Sequence, residues 1–204
     1  MNKPAGVILA GGRSSRMGVS RKALLELNGQ ALLRYVIDGL AGHLDPLLLS
    51  CESETSDFDH YGLTIVPDLV PDHRGPLTGL FSALQYLNDK GQDAGLVLCP
   101  CDAPFIPADL VQVLVDAYKN EHGKVVAISY GGVLQPTFSF WQNHHLPAIR
   151  EAVVDQGKGG LKHLLNSLPH EIVEWSPVEP SPFFNVNTPE ELASASQWLD
   201  RMHT

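Results

Sequence analysis

Asp68, Asp102, Asn185 and Asn187 are two carboxylates and two carboxamides, and each stands close behind a short apolar run. Oxygen groups of this kind hold Mg²⁺ beside phosphates, with substrate oxygens and water completing the octahedron. The chain also carries a concentrated positive segment. Arg13, Arg16, Arg21 and Lys22 follow the apolar run Val7–Ala10 and the pair Gly11-Gly12. Paired glycines let the backbone turn sharply and approach a ligand closely, because no Cβ stands in the way. Exposed amides with Arg and Lys nearby suit a polyphosphate. Taken alone, a Gly-Gly after a strand is an ordinary turn; the cations around it point to an anion site.

These groups act together only if strand ends bring them to one rim. The apolar run at 6–10 reads as a buried strand, and further strands are expected at 46–50, 63–66, 95–99, 124–130, 133–141 and 171–175. Asn28-Gly29 marks a tight turn. Helical spacing appears over about 31–42, over Leu77, Leu80, Phe81, Leu84 and Leu87, over about 107–119, 143–154 and 160–168, and from Pro189 to about Met202. The last helix has a start signal: Thr188 can accept from the Glu191 amide while Glu191 reaches back, and Pro189 sits where no amide is missed. Strand–helix alternation predicts a single α/β domain over 1–204, three layers α/β/α around a Rossmann-like, mostly parallel sheet. Ligands of such sheets sit beyond the carboxyl ends of the strands. The first strand delivers Gly11-Gly12, the 63–66 strand Asp68, the 95–99 strand Asp102, and the segment Phe183–Val186 delivers Asn187.

Charge and composition narrow the partners. Residues 1–34 carry a net +5, against −9 for the 204-residue chain, so residues 35–204 carry −14. An acidic chain of this kind is a poor general binder of nucleic-acid backbone, and the local positive patch fits a small anionic ligand. No apolar stretch approaches the ~20 residues that span a bilayer, and the first apolar run is too short for a signal peptide. Three cysteines, Cys51, Cys99 and Cys101, make a sparse and odd set that fits a reducing, cytoplasmic setting. No Gly-x-x-x-x-Gly-Lys-[Ser/Thr] and no Gly-x-Gly-x-x-Gly occurs.

Five motifs in order carry a resemblance: Leu9-Ala10-Gly11-Gly12 with Arg16-Met17-Gly18 and Lys22; Gly75-Pro76-Leu77-Thr78-Gly79; Pro100-Cys101-Asp102-Ala103-Pro104-Phe105-Ile106-Pro107; Gln135-Pro136-Thr137; and Asn185-Val186-Asn187-Thr188-Pro189-Glu190-Glu191-Leu192. Together they resemble the molybdenum cofactor guanylyltransferases over about residues 5–200. The resemblance implies a fold of the nucleotide-diphospho-sugar transferase type. It implies GTP and molybdenum-bound molybdopterin as substrates, guanine dinucleotide cofactor and pyrophosphate as products, and Mg²⁺ as cofactor. It implies that Leu9, Ala10, Gly11 and Gly12 line the guanine and phosphate site. Arg16 and Lys22 would hold the triphosphate, Asp68 would contact the nucleotide, and Asp102 would bind Mg²⁺. Asn185 and Asn187 would lie beside the reacting phosphates. Molybdenum-insertion proteins and molybdoenzyme chaperones are further implied partners. An anionic phosphate attacks another anion in this reaction, so positioning and charge neutralisation carry it and no covalent protein intermediate is expected.

Two positions depart from the family pattern: Arg21 stands where Asp is usual, and Ser50 where some members have Asn. No guanine contact is carried onto Ser50. Cytidylyl-transferring relatives usually read Leu-Ala-Ala-Gly, so Leu9-Ala10-Gly11-Gly12 favours the guanylyl type. The alternatives are a related cytidylyl- or sugar-phosphate nucleotidyltransferase and a non-catalytic nucleotide-binding assembly partner of molybdoenzymes. Arg150, Lys158 and Lys162, around Gly157–Gly160, form a second basic cluster. It reads either as a solvated helix end or, through Lys158, as a dock for the molybdopterin phosphate. Cys99 and Cys101 are expected as buried small hydrophobes, and His144-His145 as a solvated cap whose two rings point apart.

Overall fold

The computed structural model describes residues 3–10, 21–52, 55–70 and 75–202. The chain builds strand β1 (Ala5–Leu9), a small hairpin of β2 (Glu26–Leu27) and β3 (Gln30–Ala31), helix α1 (Leu32–Leu40), β4 (Leu47–Cys51) and β5 (Thr64–Pro67). There follow α2 (Pro76–Asp89), β6 (Leu96–Pro100), α3 (Leu110–Asn120), β7 (Val125–Tyr130) and β8 (Val133–Trp141). The chain then forms α4 (Leu146–Arg150), α5 (Leu161–Ser167), β9 (His170–Trp175) and α6 (Pro189–Met202). Seven strands form one sheet in the order β5-β4-β1-β6-β8-β7-β9. Within it β5, β4, β1 and β6 are parallel, β8 runs antiparallel to both its neighbours, and β7 and β9 pair in parallel. The expected α/β, mostly parallel arrangement is what the chain adopts.

The apolar runs are continuous because both faces of the sheet are covered. Val7, Leu9, Leu96 and Leu98 point to one face, under Leu77, Leu80, Leu84 and Leu87 of α2 and Leu161, Leu164 and Leu165 of α5. Ile8, Leu49, Val97 and Cys99 point to the other, under Leu33, Val36 and Leu40 of α1 and Leu110, Val111 and Leu114 of α3. A third, smaller core joins Leu27 and Leu32 to Val186, Ala195 and Leu199, which docks α6 on the β2–β3 hairpin. That hairpin turns at Asn28 and Gly29, with φ of 49° and 80°. Left-handed φ at both central residues is the demand that Asn-Gly meets.

Two local expectations are corrected. The helix foreseen over 143–154 is three pieces: a 3₁₀ turn at Asn143–His145, α4, and a π turn at Glu151–Asp155. Gln156 donates to Glu151 O at 3.0 Å, closing the wide turn before the positive-φ Gly157. The helix foreseen from 107 starts at Leu110, because Pro107–Asp109 form a turn whose carbonyls take the Leu110 and Val113 amides. The segment 183–187 carries no strand. A backbone bond, Val186 N to Asp102 O at 2.9 Å, ties it to the chain just past the end of β6.

Candidate functional site

Strand order fixes where a ligand sits. From β1 the chain winds outward through β4 and β5, then returns to place β6 on the other side of β1. The connections after β1 and β6 therefore part, and a crevice opens beyond their carboxyl ends. Backbone bonds stitch this rim together past the ends of the strands: Asp68 N to Cys51 O, Ala10 N to Ser50 O, Cys101 N to Leu9 O and Val186 N to Asp102 O, each between 2.8 and 3.1 Å. Asp68, Ser50, Ala10, Asp102 and Asn187 thus follow one another along one edge. At about 4.8 Å per strand, the Asp68 and Asp102 ends of the row are about 14 Å apart.

A cavity of about 320 Å³ lies along that edge. Leu9, Ala10, Lys22, Ser50, Asp68 and Asp102 line it, with Gly75, Pro76, Gly79, Pro100, Cys101, Thr137 and Asn187. Lys22, Asp68, Asp102 and Asn187, dispersed over 166 positions of sequence, are therefore in one place. Gly11, Gly12 and Arg16 lie outside the described residues.

The end at β6 is ionic. Lys22 Nζ donates to Asp102 Oδ2 and, at 2.6 Å, to Asn187 Oδ1. The Lys22 and Asp102 side chains are only 17% and 13% exposed, so their attraction is weakly screened. Asn187 has little freedom. Its Nδ2 donates to Asn185 O at 3.1 Å, which fixes Oδ1 as the atom that faces Lys22. Its backbone amide donates to Glu191 Oε2 at 2.5 Å, while Glu191 N donates to Thr188 Oγ1 at 3.2 Å. The box at the start of α6 thus reaches one residue further upstream than the cap, and serves the site as well as the helix. Asn185 contributes its backbone carbonyl. Its side-chain Oδ1 is buried with no partner among the described residues and does not line the cavity.

The end at β5 is a hydrogen-bonded pair. Ser50 Oγ donates to Asp68 Oδ1 at 2.9 Å. Between the ends, α2 presses closely on the floor. A Cβ at Gly79 would stand 2.5 Å from Leu9 Cδ2 and 2.6 Å from Ser50 Oγ. Gly75 is needed for a second reason: its φ is 79°, and a Cβ there would lie 2.9 Å from Gly159 O. That carbonyl also accepts the Leu77 amide at 3.1 Å, so the 157–160 loop closes the start of α2. Lys158 sits in this loop but is not among the lining residues.

Ser50 and Thr137 are polar lining residues to which the sequence assigns no role. Ser50 is the penultimate residue of β4, and apart from standing where some family members have Asn nothing in its surroundings in the sequence marks it. Thr137 owes its place to an irregularity: Ile128 pairs with Gln135 and Ala127 with Ser139, so 136–138 bulge from the ladder. Pro136, which cannot donate to a neighbouring strand, is the signal for that bulge. Arg21 also finds a place. It is extended, its Nε lies 2.5 Å from Asp57 Oδ2, and its guanidinium stacks 5.5 Å from the centre of Phe58. Arg21 thus points outward while Lys22 points inward.

Cys99 and Cys101 are buried and free, and burial pushes both thiols well up, so they behave as the small hydrophobes expected. The histidine pair differs from expectation. Both Nε2 atoms lie 3.3 Å from Gly123 O, the rings are 3.9 Å apart, and His145 is buried. Both side chains leave the 3₁₀ turn at Asn143–His145 and bend to the same carbonyl. The Gln142 amide donates to His145 Nδ1 at 3.1 Å, which leaves Nε2 as the protonated nitrogen.

The model of the MobA-like NTP transferase domain matches residues 6–172. The chain belongs to the MobA-like NTP transferase family. A molybdenum cofactor guanylyltransferase of Mesorhizobium japonicum is 32% identical over 97% of both chains, and one of Vibrio cholerae is 37% identical over 92% of this chain and 88% of its own. Among solved structures, molybdopterin-guanine dinucleotide biosynthesis protein A from Archaeoglobus fulgidus superposes with a TM-score of 0.80 at 20% identity, over 97% of this chain and all of that one. A CMP:2-keto-3-deoxy-manno-octonic acid synthetase complexed with CTP superposes at 0.74 with 13% identity, over 98% of this chain, a likeness of fold alone. The resemblance carried by the five motifs is borne out, and the chain is a nucleotidyltransferase by family. Among the described residues no helix is long and apolar enough to cross a membrane.

Proposed function

We propose that this chain transfers GMP from GTP to molybdenum-bound molybdopterin, forming molybdopterin guanine dinucleotide and releasing pyrophosphate, with Mg²⁺ at Asp102. The observation that carries the reading is the shared cavity: the Lys22 ammonium on the Asp102 and Asn187 oxygens at one end, and the Ser50–Asp68 pair at the other. The names of the relatives, which cover nearly the whole chain at 32–37% identity, support the substrates.

In this reading Asp68 accepts from the donor edge of guanine, with Ser50 holding its second oxygen. Leu9 and Ala10 flank the nucleoside through backbone groups, and Lys22 takes the triphosphate. Gly11, Gly12 and Arg16 join on the strength of the family motif. Asn185, Asn187 and Lys158 belong to the side of the acceptor. A phosphate oxygen of the pterin forms a bond to the α-phosphorus, and the bond to the β-phosphate breaks. No protein nucleophile takes part.

The residues fit a divalent cation. Asp102 Oδ2 and Asn187 Oδ1 are hard oxygens, and they converge on one cationic nitrogen in the structure. When bound, Mg²⁺ supplies neutralisation of the charge that the departing pyrophosphate collects. The chain's part is orientation: Asn187 is fixed by Asn185 and Glu191, and Asp102 by the Val186 amide on its carbonyl.

Pyrophosphate release with molybdopterin, measured across GTP, ATP, CTP and UTP, tests the reading. Release from GTP alone is expected. Release from CTP or UTP but not GTP would overturn the base assignment.

A further inference from the structure

The contact between Lys22 and Asp102 raises a question that the transfer reaction does not answer. A lysine meant for a triphosphate and a carboxylate meant for a metal ion are bound to each other. Lys22 Nζ sits between Asp102 Oδ2 and Asn187 Oδ1, which are also the two oxygens best placed for a divalent cation. Both oxygens belong to groups anchored from behind, Asn187 by Asn185 O and Glu191 Oε2 and Asp102 through its backbone. They face one another across the Lys22 ammonium. Oxygens held so in a half-buried site need a positive partner, because a desolvated carboxylate left without one is costly.

We infer that Lys22 is a resident counter-ion: its ammonium holds the cation position between Asp102 and Asn187 until a triphosphate draws it away. This rests on the reading of Asp102 as metal ligand given above. A lysine suits the task, since its charge rides on a flexible four-carbon stem. The neighbouring residue suits it too. Arg21 is tied to Asp57 and stacked on Phe58, so the backbone is held at this point and the side chain of Lys22 is what moves. A divalent cation arriving alone meets an ammonium already in place. Arriving with a triphosphate, it finds the ammonium transferred to phosphate oxygens. Metal and nucleotide therefore bind with positive coupling, and by linkage each tightens the other equally.

Mn²⁺ titrations followed by electron paramagnetic resonance test this on the full chain, with and without GTP. Wild type is expected to bind Mn²⁺ weakly without nucleotide and Lys22→Met at least tenfold more tightly, with GTP adding less in the variant than in wild type. Lys22→Gln, which keeps a donor toward Asp102, should shift in the same direction. Lys22→Met should also melt below wild type without metal and recover when Mn²⁺ is added. Nucleotide-free binding by both variants that is equal to or weaker than wild type overturns the counter-ion role. If GTP-dependent Mn²⁺ binding is then still lost in Asp102→Asn, the metal reading of Asp102 stands without it. If no protein takes up Mn²⁺ even with GTP, the metal reading fails and the counter-ion role falls with it.

Discussion

The two ends of the cavity are built by opposite means. At the β6 end, charge meets charge: an ammonium, a carboxylate and a fixed carboxamide oxygen, drawn from residues 22, 102 and 187. At the β5 end, a hydroxyl meets a carboxylate from two adjacent parallel strands, residues 50 and 68. The first arrangement suits charge that moves during a reaction. The second suits a ligand edge recognised by hydrogen bonds. The difference predicts that substitutions at one end alter turnover and at the other alter choice of nucleotide.

The largest effect is expected at the ionic end. Asp102→Asn keeps the shape and an oxygen toward Lys22 but removes the charge. Pyrophosphate release should fall by about 10²–10³-fold, with little change in melting temperature. Unchanged turnover would remove Asp102 from the site. Asp68→Asn, by contrast, should cost roughly ten- to a hundredfold in GTP affinity, since a buried donor of the base loses its acceptor, while kcat stays near wild type. Ser50→Ala should show the same pattern more weakly, about two- to tenfold. If Asp68→Asn lowered kcat and left nucleotide affinity alone, the two ends would not divide the work in this way.

Gly79→Ala tests the floor common to both. The added methyl would collide with Leu9 and Ser50, at 2.5 and 2.6 Å, so α2 must shift. A loss of about 1–3 kcal/mol in unfolding free energy is expected, with weaker nucleotide binding.

The smallest effect serves as a control remote from the cavity. Burial, and then the neighbouring His144, push His145 down to about 4 from its ordinary 6.5. The unfolded chain therefore takes up a proton that the folded chain refuses between those values. This contribution to stability is complete above about pH 6.5 and is lost as pH falls toward 4, on the order of 3 kcal/mol. Melting curves against pH should show a shallower acid slope in His145→Gln than in wild type, with nucleotide selectivity unchanged.

Much of the site was legible because an apolar run that stops at a polar residue marks a strand end, and strand ends share a rim. Asp68 and Asp102 are read in that way, and so is Asn187, at the end of the Phe183–Val186 segment and just before the Thr188–Glu191 start signal of α6. The same start signal has a second use, since Glu191 accepts the amide of Asn187 rather than that of the cap residue. Ser50 was hidden because its role depends on the strand beside it, and pairing of β4 with β5 is a tertiary fact. Thr137 was hidden because a bulge re-aims it. For His144 and His145 the angle between neighbours, about 100° in an α-helix and about 120° in a 3₁₀ turn, does not decide the outcome, because both side chains bend to the one carbonyl of Gly123. The break of the 143–154 segment at a π turn has no local signal before Gly157.

A crystal structure of the chain with a non-hydrolysable GTP analogue and Mg²⁺ examines the division of the cavity most directly. The guanine should lie against Asp68 and Ser50, with the metal on Asp102 and Lys22 Nζ moved onto the phosphates. A triphosphate bound away from the Asp102 end, or a base turned toward Asn187, would contradict the account.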